Sequence, residues 1–331
     1  MRALQLIRSG EPPVLADLPC PEPGPGEVAV RIEACGLNFA DLLMIEGKYQ
    51  DTPPLPFVMG MEAAGVVTAC GPGTRLQPGA RVAVFAGRGG LAEAGVFPET
   101  RCTALPDAMS AEQAAAFQIA YGTSHLALTR RGRLAPGETL VVLGAAGGVG
   151  LTAVEIGRRL GARVIAVARG TKLKVAQDAG AEVLIDSDTP DLRAALKAAG
   201  GADVVYDAIG GAAGEAAFRA LKPGGRYLVI GFASGAPPVL PVNIALVKNL
   251  EIHGLYWGGY LALDPAMLRD SMAELFGWFA AGGLRPHISG SYPLERALDA
   301  LEQLRARRST GKIVVTMGGS HETRDFPPGH A

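Results

Sequence analysis

The chain has little that would draw it to nucleic acid, to a membrane or into an oxidising compartment. Its 31 Lys and Arg are balanced by 32 Asp and Glu, for a net charge of −1 at pH 7. No Lys/Arg block breaks that balance, so neither a phosphate backbone nor an anionic lipid surface meets a basic field. No apolar stretch approaches the roughly 18 residues of a membrane span, and Met1 to Arg8 has no apolar core of signal-peptide length. The four cysteines, Cys20, Cys35, Cys70 and Cys102, are scattered with no Cys-x-x-Cys pair. This predicts reduced, mostly buried thiols in a cytoplasmic protein. His125, His253 and His287 have no ligand spacing and read as structural.

The abundant residues point to a globular enzyme-sized fold. Hydrophobic residues make up 48% of the 331 positions and charged residues 19%, enough for a substantial core in two domains. The 45 Gly and 24 Pro sit at turns between apolar runs and not in repeats. The first third reads as short strands, at Gly26 to Ala34, Ala63 to Thr68 and Ala80 to Phe85, with one helix over Phe39 to Glu46. Ser110-Ala-Glu-Gln113 has the form of a capping box before an Ala-rich helix. From Thr139, short apolar runs alternate with helix-length amphipathic segments, which predicts a parallel sheet with helices on both faces. Later helices are expected over Pro265 to Ala280 and Leu294 to Arg307, and a last strand over Lys312 to Thr316.

Gly144-Ala-Ala-Gly147-Gly148-Val-Gly150 lies between a predicted strand and a predicted helix. Glycine there permits a tight turn and brings backbone N–H groups close to a pyrophosphate, at a helix end of partial positive charge. NAD-binding turns place an acid at the end of the next strand to hold the ribose 2′-hydroxyl. Here that position reads Ala168-Arg169-Gly170-Thr171-Lys172, with no acid before Asp178. Two cations suit a 2′-phosphate, so NADPH is the expected cofactor. The alternative, a solvated helix start, is disfavoured because cations oppose the helix dipole.

These residues resemble the medium-chain dehydrogenase/reductase superfamily, in its zinc-free quinone oxidoreductase (zeta-crystallin-like) branch. The resemblance is carried by Pro23 to Val28, Gly36 to Asp41, Gly47-Lys48-Tyr49, Pro56 to Gly65, Ala120 to Thr123, the glycine turn, Val205-Tyr206-Asp207 and Thr310 to Val314. It implies an α/β protein with a GroES-like, β-rich catalytic domain and an inserted Rossmann doubly wound parallel sheet. The expected boundaries are 1–120 and 261–317 for the catalytic domain, 121–260 for the NADPH-binding domain and 318–331 for a flexible tail. Zinc-dependent relatives have Cys, His and Cys where this chain has Asn38, Met61 and Ile119. Such side chains do not supply the thiolates and imidazole that zinc prefers, so no metal is expected.

Without a Lewis acid, a conjugated acceptor is the feasible substrate, because its negative charge delocalises as an enolate or hydroquinone anion. The resemblance places Asn38 against the nicotinamide or the acceptor oxygen, with Asp41 orienting it. Turn-forming and helix-capping roles are the alternatives for these two. Tyr49 is either a site hydroxyl or surface packing. For the cofactor, the resemblance implies Phe39, Thr123, Ala146, Gly147, Gly148, Val149, Ala168, Arg169 and Lys172, with Ser187 standing where some members carry Tyr. Gly231, Phe232, Tyr256 and Trp257 follow later strands, as nicotinamide contacts or as packing, and Arg308 is a cofactor contact or an exposed helix end. The expected activity is NADPH-dependent reduction of quinones or other α,β-unsaturated carbonyls. Alternatives are an enoyl-thioester or acrylate-type reductase, hinted at by Arg130, Arg131 and Arg133, and a non-catalytic NADPH-binding protein of nucleotide-sensing or RNA-binding type. The family also suggests a homodimer through sheet edges, with which the apolar Leu250 to Trp257 stretch is compatible.

Overall fold

The computed structural model describes residues 1–318; the expected tail, from 319 onward, lies outside the described residues. The chain forms two compact units, one from residues 1–119 with the segment from Pro286 onward, the other from Ala120–Arg285.

The first unit is built from β1 (Arg2–Leu6), β2 (Val14–Asp17), β3 (Glu27–Gly36), β4 (Phe57–Val58), β5 (Glu62–Cys70), β6 (Arg81–Phe85), β7 (Ala94–Pro98) and β8 (Cys102–Ala104). The second unit contributes β9 (Thr139–Leu143), β10 (Arg163–Ala168), β11 (Val183–Asp186), β12 (Ala202–Asp207), β13 (Leu221–Val229) and β14 (Glu251–Gly254). The chain then returns to the first unit as β15 (Ile288–Pro293) and β16 (Lys312–Thr316).

In the first unit β3 is the hub. Its first eight residues alternate partly or fully exposed with buried positions, and it pairs antiparallel with β5, β7 and β16, within a sheet ordered β15-β16-β3-β5-β6-β8. A second small sheet, β2-β1-β4, is antiparallel. The capping box forms as read: the Gln113 backbone N–H donates to Ser110 Oγ at 3.1 Å and the Ser110 N–H to Gln113 Oε1 at 3.0 Å. The helix that it starts, Ala111–Ala115, packs on β3 and β5.

The second unit is a parallel sheet ordered β11-β10-β9-β12-β13-β14, the reversal of strand order falling at β9. All five residues of β9 are buried, as a strand covered on both faces requires. Val141, Leu143, Val167, Val205 and Phe218 are among its core. Burying each such side chain contributes roughly 1.5–3 kcal/mol.

Two expectations are corrected. The helix Pro265–Ala280 belongs to the second unit, whose limit lies at Arg285 and not near 260. Its buried Ser271 bonds His125 at 2.8 Å, and His125 stands edge-on to Trp278. The thiols are less hidden than composition suggested: Cys35 is buried, Cys70 and Cys102 are partly exposed, and Cys20 is exposed.

Candidate active site

Sheet register assembles the first group of polar residues. β16 runs antiparallel to β3 with Val314 opposite Gly36, so continuing the register two residues sets Lys312 opposite Asn38. On the other side of β3, Glu62 stands opposite Gly36. Lys312 Nζ thereby donates to Glu62 Oε1 at 2.9 Å, Asn38 Oδ1 at 2.6 Å and the Leu37 carbonyl at 2.7 Å. Asn38 Nδ2 donates to Glu62 Oε1 at 2.9 Å and to the Gly36 carbonyl at 3.2 Å. The Ile119 backbone N–H donates to Glu62 Oε2 at 2.9 Å. The Lys312 and Glu62 side chains are 6% and 0% exposed, so the pair is shielded from water and all three donors of the ammonium are used.

Asp41 does not orient the Asn38 side chain, contrary to the sequence reading. Its Oδ2 accepts the Asn38 backbone N–H at 2.8 Å, closing the first turn of the helix Phe39–Ile45. The amide of Asn38 is held by Glu62 and Lys312, residues to which sequence reading gave no role. Both N–H bonds of that amide are engaged, so Asn38 presents only spare acceptor capacity at Oδ1.

Asp41 is fully buried, and burial pushes its carboxyl up to about 7, against the Asn38 N–H and Lys312, which pull it down. A carboxyl raised in the fold binds its proton more tightly there than in the unfolded chain. Stability from this group is therefore lost as pH rises from the unfolded value toward 7, by on the order of 4 kcal/mol. Asp41→Asn should remove that slope. Urea unfolding of both proteins at about pH 4 and about pH 8 measures it, and parallel stability changes in the two would contradict the assignment. Burial also pushes the Cys35 thiol well up, with Asp41 and Glu62 adding to the effect, so it is no nucleophile.

The second group lies at the carboxyl ends of the parallel strands. β9 ends at Leu143, Gly144 turns with φ +72°, and the helix Gly148–Arg159 begins after Gly147. The turn is closed by the Gly147 N–H on the Gly144 carbonyl at 2.9 Å. A Cβ at Gly150 would lie 2.0 Å from the Gly144 carbonyl oxygen, so helix and turn approach as only glycine allows. The N–H groups of the helix's first turn have no partner within the helix and suit an anionic group. Below the turn, Ser124 Oγ bonds the Val149 carbonyl, Thr152 and Tyr206 at 2.8–2.9 Å, tying the helix start to β12.

At the end of β10, Ala168 is buried and Arg169 exposed. Burial lowers the Lys172 ammonium, and nearby Arg169 lowers it further, so two cations converge there. The end of β11 adds what the sequence did not disclose. The Gly170 N–H donates to Asp186 Oδ2 at 3.2 Å, and Arg169 Nε lies 3.2 Å from Asp188. Ser187 is exposed between them, its N–H on the Ala168 carbonyl at 3.0 Å.

The chain matches the model of the alcohol dehydrogenase GroES-like domain over residues 24–107 and that of the zinc-binding dehydrogenase over residues 179–315. It is 38% identical to the quinone oxidoreductase-like protein 2 homolog of Nematostella vectensis, over 95% of this chain and 88% of that relative. The chain belongs to the zinc-free quinone oxidoreductase family of medium-chain dehydrogenase/reductases. Within this quinone oxidoreductase family, the fold is similar to that of the Thermus thermophilus quinone oxidoreductase, solved also in complex with NADPH. The TM-score is 0.84 and the identity 36%, covering 96% of this chain and all of that one. The Escherichia coli quinone oxidoreductase complexed with NADPH gives a TM-score of 0.88 at 29% identity, with coverage of 96% and 100%.

This quinone oxidoreductase-family chain does not carry the donor set of a zinc-dependent relative. Asn38 spends its amide on Glu62 and Lys312, Met61 is 5% exposed, and Ile119 offers Glu62 its backbone N–H. Zinc prefers thiolate and imidazole. Gly231, Phe232 and Tyr256 line an open hollow of about 430 Å³ beyond β13 and β14. Trp257 is instead buried against Gly122, where an added Cβ would lie 2.6 Å from the indole; it reads as packing. Thr123 is buried on the helix Gln118–Leu126, and Phe39 is 36% exposed at a helix start. Tyr49 is half-buried in the loop after that helix, its carbonyl bonded by Thr52. Arg308 is exposed just past the helix Ala297–Arg305 in the first unit. Arg133 is paired with Glu251 at 2.6 Å, and Arg131 lies over the Tyr260 ring.

Proposed function

We propose that this chain is an NADPH-dependent, metal-free reductase of quinones or other α,β-unsaturated carbonyl compounds. The observation that carries the reading is the glycine turn, packed so closely that a Cβ at Gly150 has no room, at the point where strand order reverses. The GroES-like relatives solved with NADPH support it. NADPH supplies a hydride when bound. The chain's own residues bind and orient: Gly147 lets the backbone approach the pyrophosphate, Gly148 and Val149 offer it backbone N–H groups, and Arg169 and Lys172 face the 2′-phosphate. The hollow beside Gly231, Phe232 and Tyr256 takes the flat nicotinamide end against a mostly apolar wall.

In the first unit, Glu62 and Lys312 lock Asn38, so that Oδ1 accepts a hydrogen bond at a fixed place. Asn38 then acts as an acceptor, and the donor to the substrate oxygen is the Tyr49 hydroxyl or a water. No charged group is needed to polarise a simple carbonyl, because a conjugated acceptor spreads its own charge. Lys172→Ala should raise KM for NADPH about tenfold or more while leaving KM for NADH within about twofold, as loss of a single phosphate contact predicts. Steady-state kinetics with both coenzymes check this, and equal rises would remove 2′-phosphate recognition from the reading.

The proposed assembly is a homodimer, joined where β14 leaves a free edge on the parallel sheet. Ile252 on that strand is 44% exposed, and Val242, Leu246 and Val247 on the neighbouring helix Val242–Lys248 are 75–77% exposed. An apolar surface of this kind on an edge strand calls for a partner. Light scattering should give twice the 34.1 kDa chain mass, and Leu246→Asp should give the single-chain mass. A wild-type monomer would contradict the assembly. No helix among the described residues is long and apolar enough to cross a membrane; a cytoplasmic location is proposed on the thiols and the lack of basic character.

A further inference from the structure

The rim at the ends of β10 and β11 is not the purely cationic one that a 2′-phosphate would prefer. Asp186, the last residue of β11, uses both carboxylate oxygens to join the two loops. Oδ2 takes the Gly170 N–H at 3.2 Å, and Oδ1 takes the Asp188 N–H at 3.0 Å. That bridge fixes Asp188 beside Arg169, whose Nε lies 3.2 Å from one carboxylate oxygen and 3.3 Å from the other. The pair is exposed, 76% for the Arg169 side chain and 61% for Asp188, so water and a ligand both reach it. Lys172 lies close enough to Arg169 for its ammonium to feel the guanidinium.

We infer that Asp188 is a specificity-determining residue: an internal counter-ion that a 2′-phosphate must displace from Arg169, and that therefore restrains the preference for NADPH over NADH. The inference rests on the NADPH reading above and refines it. A dianionic phosphate brought to Arg169 and Lys172 meets a fixed carboxylate already paired with the guanidinium, and is repelled by it. A 2′-hydroxyl carries no charge, so the same carboxylate does not oppose NADH, and as an acceptor it can take the hydroxyl proton. Asp186 is the positioning residue in this arrangement, since one of its oxygens holds the Asp188 backbone and the other the Gly170 N–H.

The test measures binding and not turnover. Wild type and Asp188→Asn are titrated by calorimetry with 2′,5′-ADP and with 5′-AMP at low ionic strength. The expected result is that Asp188→Asn binds 2′,5′-ADP about three- to tenfold more tightly, the size of effect that an exposed charge pair permits. Affinity for 5′-AMP stays within about twofold, and the gain shrinks at high salt because exposed charges are screened. The same substitution in an Arg169→Ala background should bring less than half of that gain, because the contested cation is gone. An unchanged affinity for 2′,5′-ADP, or equal changes for both nucleotides, overturns the inference. A gain that persists undiminished without Arg169 assigns the effect to repulsion alone and overturns the displacement. The NADPH reading fails on a separate result: wild type binding 5′-AMP as tightly as 2′,5′-ADP.

Discussion

Replacing Lys312 by Met should lower the stability of the first unit by about 3–5 kcal/mol, the usual cost of leaving one member of a buried ion pair without its partner. In a unit of this size that corresponds to a fall in unfolding midpoint of roughly 10 °C. The reason is specific to this cluster. Removing the ammonium strands the Glu62 carboxylate at 0% exposure and takes donors from Asn38 Oδ1 and the Leu37 carbonyl. Glu62 keeps the Ile119 N–H and the Asn38 amide, which are too few for a buried anion. The double variant Lys312→Met, Glu62→Gln removes both charges and should recover more than half of the loss. Thermal unfolding of the three proteins decides the point. A midpoint for Lys312→Met within a degree or so of wild type would show that the pair is not buried as described. Affinity for 2′,5′-ADP is the internal control, since the residues proposed to hold its phosphates lie in the other unit.

The second large effect is expected at the glycine turn, where two substitutions separate folding from binding. Gly150→Ala places a Cβ 2.0 Å from the Gly144 carbonyl oxygen and 2.7 Å from its carbon, both backbone atoms that cannot rotate aside. The helix must move, which costs about 1–3 kcal/mol and displaces the N–H groups proposed to bind phosphate. Losing one hydrogen bond to a charged phosphate costs roughly 1.5–3 kcal/mol, so NADPH binding should weaken at least about tenfold. Gly147→Ala differs. Its nearest added contact is the Gly144 oxygen at 3.3 Å, and its φ of −81° suits any residue. It should fold with near-normal stability and still bind NADPH at least tenfold more weakly, because a side chain on the turn keeps the backbone from approaching the pyrophosphate as closely as glycine does. Fluorescence titration with NADPH, beside thermal unfolding, distinguishes the two. Full NADPH affinity in Gly147→Ala would mean that the turn does not hold the dinucleotide.

Much of this was legible from the residues because local and periodic signals agreed. The β9 run, the glycine spacing and the Ser110 capping box each depend on neighbours within a few positions, and each formed at the expected place. The Lys312–Glu62–Asn38 cluster was not legible, although all three residues sit in recognisable segments. Their meeting depends on the register of β16 and β5 against β3, across 250 residues of chain between Glu62 and Lys312. For the same reason, Asp41 looked like the orienter of Asn38 when it caps the helix through the backbone. Asp186 and Asp188 escaped notice because an acid for the ribose was sought at the end of β10 and not on the parallel neighbour β11. The placement of Pro265–Ala280 turned on tertiary contacts such as Ser271 with His125, which helix periodicity does not encode.

On the proposed reading, NADPH reduces conjugated acceptors at a site where Asn38, Met61 and Ile119 offer zinc neither thiolate nor imidazole. The direct measurement is the rate of NADPH oxidation by purified, chelator-treated protein against a panel of quinones, enones and simple ketones. The account predicts turnover with quinones or enones, none with simple ketones, and no gain on adding zinc. NADPH oxidation that requires zinc, or that proceeds with simple ketones and spares every conjugated acceptor, would contradict it.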